Sequence, residues 1–399
     1  MPHPRVTSVC DALDRSRIRW SLLRPPASLA QPEGDIDLLV DPDDLPRVRR
    51  LVADQGFVVM PAGRRDVHAA DYDAGWDRFL WLHVQPDVRL GGVTVPAHMV
   101  LTDVVRDPLP RPSDPWLLWL LLLHGLLDKR AIAARHRPEV MRLARAAPDP
   151  PVPLSAMAAR RGLSPRAVLE LAAAGAWDRL EGLPIREADA PSRRERLADL
   201  DDRARRLWTR RGIAVGVIGP DGAGKTTLVN GLRDTLPFPT RILYMGLTGG
   251  RLPRADALRV PGVVLGARLA IIWARWGAGA RHRLRGRVVL FDRYTLDGRV
   301  PSGVRQRPLA RASRRLQAAS CPKPDLVLLL DASGTTMHGR KGEYDAQRLE
   351  EWRAAYARLP GRLTGLEVLD AEQPADAVRR QALDRIWRCY AGRWTQKDC

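Results

Sequence analysis

The chain has 399 residues, 45% of them hydrophobic and 28% charged, which excludes a disordered chain and allows two or three domains with cores of their own. Four cysteines, Cys10, Cys321, Cys389 and Cys399, show no ligand spacing, which excludes a disulfide framework or a zinc site. The net charge of +19 is unevenly spread. Residues 1–112 carry 14 Arg against 16 Asp/Glu, whereas residues 233–315 carry 18 Arg against 4. Only five lysines occur, so a coding bias explains arginine over lysine but not this ratio of bases to acids. The second half therefore suits an anionic substrate, or a nucleic acid or other polyanion as partner. The opening MPHPRVTSVC has no apolar run of a secretory leader, and a cytoplasmic location is expected.

In chain order, Trp20–Leu23 is strand-like, Asp35–Val40 is a strand with an acidic start, and Leu45–Gln55 is a helix that Gly56 stops. Phe57–Met60 and Phe79–Val84 read as further strands. Residues 113–190 read as helical, opening at Ser113-Asp114-Pro115 and broken by the Pro-rich 148–153 stretch. Within them Trp116–Leu127 is almost wholly apolar but too short to span a bilayer, so it is expected as a buried core helix. Ser164-Pro165 caps a shorter helix ending near Gly175. Residues 192–210 form a charged linker helix with Leu197, Leu200, Ala204 and Leu207 along one side. From 213 the apolar runs Ile213–Ile218, Val288–Phe291 and Leu326–Leu330 alternate with helical stretches, as in a doubly wound α/β domain whose parallel strands are buried on both faces.

The segment Gly219-Pro-Asp221-Gly222-Ala223-Gly224-Lys225-Thr226-Thr227 follows an apolar strand and opens a helix, the setting in which a GxxxxGKT loop cradles phosphates. Backbone N–H groups turn inward, Lys225 reaches the β- and γ-phosphates, and Thr226 offers its hydroxyl to Mg²⁺, so ATP and Mg²⁺ are the expected cofactors. Asp292 and Asp331 each end an apolar strand, where ligands bind in such sheets. Either suits Mg²⁺ or its waters, with a helix N-cap as the other role for each, Asp331 above all.

These blocks, with Asp292-Arg293-Tyr294 and Pro324–Asp331, resemble the thymidylate kinase family, in the family's order and over residues 213 to about 390. The resemblance implies that Asp292 positions or deprotonates the acceptor and that Arg293 binds its phosphate. It also implies that Arg340 and Lys341 belong to a lid closing over the transferring phosphoryl group; an ordinary solvated pair is the other reading. The match departs where the acceptor is chosen: Tyr244–Gly250 stands where the family carries Arg-Glu-Pro-Gly-Gly, and Val263–Trp276 is more apolar than a thymidine pocket wall requires.

Near the N-terminus, Gly34-Asp35-Ile-Asp37 resembles the metal-binding strand of nucleotidyltransferases. Carboxylates at i and i+2 share one face and suit divalent ions. Two pieces of that pattern are absent: Arg24-Pro-Pro-Ala-Ser28 replaces the Gly-Ser loop, and His83 stands where a third carboxylate is expected, with Asp87 out of register. An acidic surface strand is the alternative. His124–Lys129 resembles an extension of nucleotidyltransferase-like proteins and carries no assigned chemistry.

The sequence thus reads as a nucleotidyltransferase-like α/β domain (1–112), a helical extension (113–190), a linker helix (191–212) and a P-loop doubly wound parallel sheet (213–399). The expected function is ATP- and Mg²⁺-dependent phosphoryl transfer to a small acceptor such as a nucleoside monophosphate. The alternatives are nucleotidyl transfer regulated by the P-loop domain, and a non-catalytic ATP-dependent switch that binds an anionic partner.

Overall fold

The computed structural model describes residues 3–24, 30, 34–60, 66–146, 149–186, 212–246, 261–300, 308–359 and 365–395; the expected 192–210 helix and residues 247–250 lie outside them. The chain divides into two units, Met1–Asp71 with Phe79–Arg206, and Tyr72–Arg78 with Leu207–Cys399.

In the first unit α1 (Pro4–Arg15) begins with Pro4 in its first turn and His3 Nδ1 accepting the Arg5 N–H at 3.2 Å. There follow β1 (Trp20–Leu22), β2 (Asp35–Val40), α2 (Leu45–Asp54), β3 (Val58–Val59), β4 (Val67–Asp73) and β5 (Arg78–Gln85). They form a sheet of order β1-β2-β5-β4-β3, in which β2 and β5 are parallel and β1 is antiparallel to β2. The expected Phe57–Met60 strand shortens to two residues, and β4 was not legible in the sequence. Along β2, Ile36, Leu38 and Val40 pack with α1 and α2, whereas Leu39 packs into a second core on the opposite face. The period of two puts Asp35 and Asp37 on the Leu39 face.

Two hairpins follow, β6 (Asp87–Leu90) with β7 (Val93–Pro96), and β8 (Val104–Arg106) with β9 (Pro110–Pro112), separated by α3 (Ala97–Leu101). Asp87 thus lies on a separate two-stranded sheet and takes no part in the β2–β5 ladder. α4 (Asp114–Leu123) is buried at every residue from Trp116 to Leu123, a core helix as its composition anticipates. No helix among the described residues is long and apolar enough to cross a membrane. α4 runs into a π-helical turn, His124–Lys129, which ends at Arg130 in the left-handed region (φ 58°). The helices α5 (Arg137–Arg145), α6 (Val152–Arg160), α7 (Pro165–Ala173) and α8 (Trp177–Glu181) complete the second core. The helical stretch therefore shares a core with β2 and the hairpins.

The second unit contains β10 (Ala214–Ile218), α9 (Lys225–Thr235), β11 (Thr240–Tyr244), α10 (Pro261–Leu284), β12 (Val288–Asp292), α11 (Pro308–Ala319), β13 (Leu326–Asp331), α12 (Gly334–Lys341), α13 (Ala346–Tyr356), β14 (Leu366–Asp370) and α14 (Ala375–Thr395). All neighbours in the sheet β11-β12-β10-β13-β14 are parallel. β10 lies at the centre, and its flanking strands β12 and β13 end at Asp292 and Asp331. The loop leaving β10 thus emerges between these two carboxylates, at the carboxyl end of the sheet where such folds bind ligands.

Candidate functional site

The turn from β10 into α9 depends on glycines in conformations that other residues avoid: φ is 146° at Gly219, 86° at Gly222 and 94° at Gly224. A Cβ at Gly219 would sit 2.8 Å from the Leu330 carbonyl oxygen, and one at Gly222 would overlap that of Met337. At Gly224 nothing lies within 4 Å, so the loop is open to a ligand there. Lys225 is only 6% exposed, and its Nζ donates to the carbonyl oxygens of Gly219 (2.9 Å) and Pro220 (2.6 Å). Burial, with Arg293 nearby, lowers its pKa to about 8 against the pull of Asp297, Asp221 and Asp292. This is a desolvated cation held by its own loop, ready to exchange carbonyl oxygens for phosphate oxygens.

Thr226 Oγ1 donates to Asp292 Oδ2 at 3.2 Å. A hydroxyl and a carboxylate side by side are hard oxygen donors of the kind Mg²⁺ takes, and the open loop beside them fits a nucleotide's phosphates. Beside the loop a cavity of about 350 Å³ is lined by Ala223, Gly224, Thr227, Leu228 and Arg340 among others.

Arg293 follows Asp292 with φ 67°, a left-handed conformation that costs a non-glycine residue about 1–3 kcal/mol and concentrates at functional sites. Its N–H donates to the Val217 carbonyl oxygen at 3.0 Å, and its guanidinium pairs with Asp221. Burial alone would push Asp221 upward, but Arg293 and Lys225, helped by Lys341, hold its pKa below the usual range.

Three of the expected site residues are otherwise engaged. Both oxygens of Asp331 accept from Arg353, at 2.7 and 2.9 Å, so the carboxylate is spent on an ion pair rather than left open to a metal. The N-cap of α12 is Ser333, which accepts the Thr336 N–H at 3.3 Å. Arg340 and Lys341 end α12, before Gly342 (φ 67°) stops it. Arg340 donates to the Ala371 carbonyl oxygen at 2.9 Å, and exposed Lys341 pairs with Glu343 at 3.0 Å.

Sequence reasoning missed Asp297, on the 3-10 turn just past Arg293. Tyr356 donates its hydroxyl to Asp297 Oδ1 at 2.8 Å, while Oδ2 is buried and has no hydrogen-bond partner among the described residues. Burial pushes its pKa up to about 6, despite the attraction of Lys225 and Arg293.

In the first unit, Asp35 and Asp37 do share a face, but Asp37 is 9% exposed and fully engaged. Its Oδ2 accepts from Arg24 Nε (3.2 Å) and Nη2 (2.9 Å), and its Oδ1 meets His83 Nδ1 (3.1 Å) and Gln85 Nε2 (3.0 Å). The acidic pair expected to hold a divalent ion is therefore one exposed carboxylate and one already neutralised. His83 does stand across from Asp37 in the β2–β5 register. Burial works against its charge, but Asp37 on one side and Asp66, 3.7 Å from Nε2, on the other raise its pKa to about 9. A raised histidine contributes stability that is complete below its unfolded pKa and lost as pH climbs through the folded value. The wild-type chain should therefore lose on the order of 2 kcal/mol between about pH 6.5 and 9, a loss that His83→Gln removes. Urea unfolding of both chains across that range checks this; parallel pH profiles would refute it.

No protein-family model matches the chain. The thymidylate kinase of Xanthomonas campestris pv. campestris (strain B100) is 32% identical over 197 residues, which cover 43% of this chain and 81% of that protein. The chain belongs to the thymidylate kinase family. A second family member, the thymidylate kinase of Xanthomonas euvesicatoria pv. vesicatoria (strain 85-10), is 31% identical over 189 residues, with the same coverage of both chains. Among solved structures, deoxyadenosine kinase from M. mycoides with bound dATP covers 44% of this chain and 98% of its own at 12% identity, with a TM-score of 0.31. The part of the chain that carries the thymidylate kinase likeness is a P-loop kinase region; the nucleotidyltransferase resemblance has no counterpart among these relatives.

Proposed function

We propose that the second unit transfers the γ-phosphoryl group of ATP to a nucleoside monophosphate. The observation that carries this is the grouping of buried Lys225, the Thr226–Asp292 pair and the strained Arg293 around one open glycine loop. Lys225 leaves the Gly219 and Pro220 carbonyl oxygens to meet the β- and γ-phosphates. Thr226 and Asp292 would hold Mg²⁺, which when bound neutralises charge on the phosphate oxygens. Arg293 leaves Asp221 to grip the acceptor phosphate, and Asp221 is freed to accept a hydroxyl from the acceptor. Arg340 and Lys341, at the end of α12, offset the charge spread over the phosphoryl oxygens. The relatives' names supply the acceptor class, with thymidylate first among the compounds to try.

The test is a panel of nucleoside monophosphates with ATP and Mg²⁺, following ADP and the phosphorylated product. In the same assay Arg293→Ala should raise the acceptor KM about tenfold or more while ATP affinity stays within about threefold, because a bidentate arginine–phosphate grip is lost on one substrate only. ADP formation with no phosphorylated monophosphate would overturn the acceptor assignment. Salt-sensitive binding of a polyanion without turnover would favour the switch reading instead.

A further inference from the structure

We propose that a cavity of about 490 Å³ in the first unit binds a small phosphorylated molecule through cationic side chains, without a divalent ion. The volume lies within the ordinary range of ligand pockets and admits a nucleotide or a sugar phosphate. Asp35 and Asp37 lie on one wall; Arg24, His83 and the segment from His124 to His136 supply the rest.

The charges of that lining do not balance. Asp37 is bound at both oxygens and spends its charge on Arg24. Of the remaining lining residues, Lys129 and Arg135 have no carboxylate partner among the described residues; Asp35 is the one further acid of the described lining, and Asp128 beside it is paired with His124 at 3.0 Å. Arg135 Nε instead donates to His136 Nε2 at 3.2 Å, and His136 has its pKa lowered by burial and then by Arg135, Arg24 and His124. Cations crowded around a concave wall repel one another and focus positive potential into it. An anion relieves that repulsion, and arginine and lysine heads are the groups that grip phosphate.

The backbone holds these heads in place. The His124–Lys129 wall is a π-helical turn, a form that is rare and concentrates at functional sites. Gly125 favours this close approach, because a Cβ there would displace Ile132 Cδ1 and sit a tight 3.2 Å from the Ala131 carbonyl oxygen. Ile132 therefore packs directly over the turn and anchors the segment that carries Arg135. Arg135 Nη1 in turn lies within 3.9 Å of where a Cβ on Gly34 would be, just ahead of Asp35.

Isothermal titration of the full chain carrying Lys225→Ala with inorganic pyrophosphate, in EDTA, tests the proposal. The Lys225 change weakens the phosphate loop, so the remaining binding reports on the first unit. One pyrophosphate per chain is expected. Its affinity should fall about tenfold or more on Arg135→Ala or on Lys129→Ala, since each removes a charge-assisted contact. Both side chains are exposed, so neither change threatens the fold, and melting curves check this. Asp35→Asn should tighten binding by removing a like charge; a metal-bridged ligand would respond in the opposite sense. The proposal is overturned if pyrophosphate fails to bind, binds only with Mg²⁺, is lost on Asp35→Asn, or is unaffected by the Arg135 and Lys129 changes together. None of these outcomes depends on whether the second unit phosphorylates a nucleotide.

Discussion

Lys225→Ala should abolish ATP turnover, lowering kcat on the order of 10³-fold or more, while leaving the protein folded. The side chain is nearly inaccessible; among the described residues it contacts two loop carbonyl oxygens and Asp221, and the attraction of Asp297, Asp221 and Asp292 does not offset its burial. Its pKa, lowered to about 8 chiefly by burial, means that the fold disfavours the protonated amine relative to the unfolded chain. Keeping a positive charge there costs stability, a cost that is complete where both states are protonated and vanishes as pH rises past the unfolded value. Residues held against their own solvation concentrate where chemistry needs them. Removal should therefore hurt catalysis and spare the fold, so the melting temperature of Lys225→Ala near neutral pH should equal or exceed that of the parent. Steady-state ADP production and a thermal melt on the same preparation check both halves. Activity within a few-fold of the parent would take this loop out of the mechanism, and a large fall in melting temperature would make Lys225 a structural residue.

The phosphate loop was legible because its geometry is local. Three glycines, a lysine and a threonine within eight residues specify a turn and a helix start whatever surrounds them. β10, β12 and β13 were legible because strands buried on both faces are continuous apolar runs. The edge strands β11 and β14 carry Arg241 and Glu367 in mid-strand, and neither reads as such a run. What the sequence could not reveal was how each charge is spent. The period of two put Asp35 and Asp37 on one face, but that Arg24 and Gln85 claim Asp37 follows only from the assembled sheet. Asp331 ends its strand as Asp292 does, yet Arg353, 22 residues on, occupies both its oxygens. Thr226 and Asp292 lie 66 positions apart and were both anticipated, because each belongs to a motif with its own local context.

Asp297 belongs to no motif used in the sequence analysis; its partner Tyr356 is 59 positions away, and the pair carries the second large effect. Asp297→Asn should lower kcat on the order of 10²-fold and raise stability at the same time. The asparagine keeps the size of the side chain and can still accept the Tyr356 hydroxyl, so packing is preserved. What it loses is the negative charge that faces Lys225 and Arg293. Burial raises the Asp297 pKa to about 6, above its unfolded value, so the ionised carboxylate is a burden on the fold at every pH above that point. An uncharged replacement lifts that burden, and the melting temperature near pH 7.5 should rise. The gain should shrink as pH falls through about 6, where the parent carboxyl takes up its own proton. If the ionised form takes part in the reaction, the parent's kcat should decline on the acid side through the same region, and the variant should lack that limb. The groups that set this titration are Tyr356 from α13, Lys225 from α9 and Arg293 beside β12, so the profile must be read with all three intact. A variant with parental activity and a lower melting temperature would assign Asp297 to the packing of the 3-10 turn. A variant that loses activity and gains stability would put its charge in the transfer step.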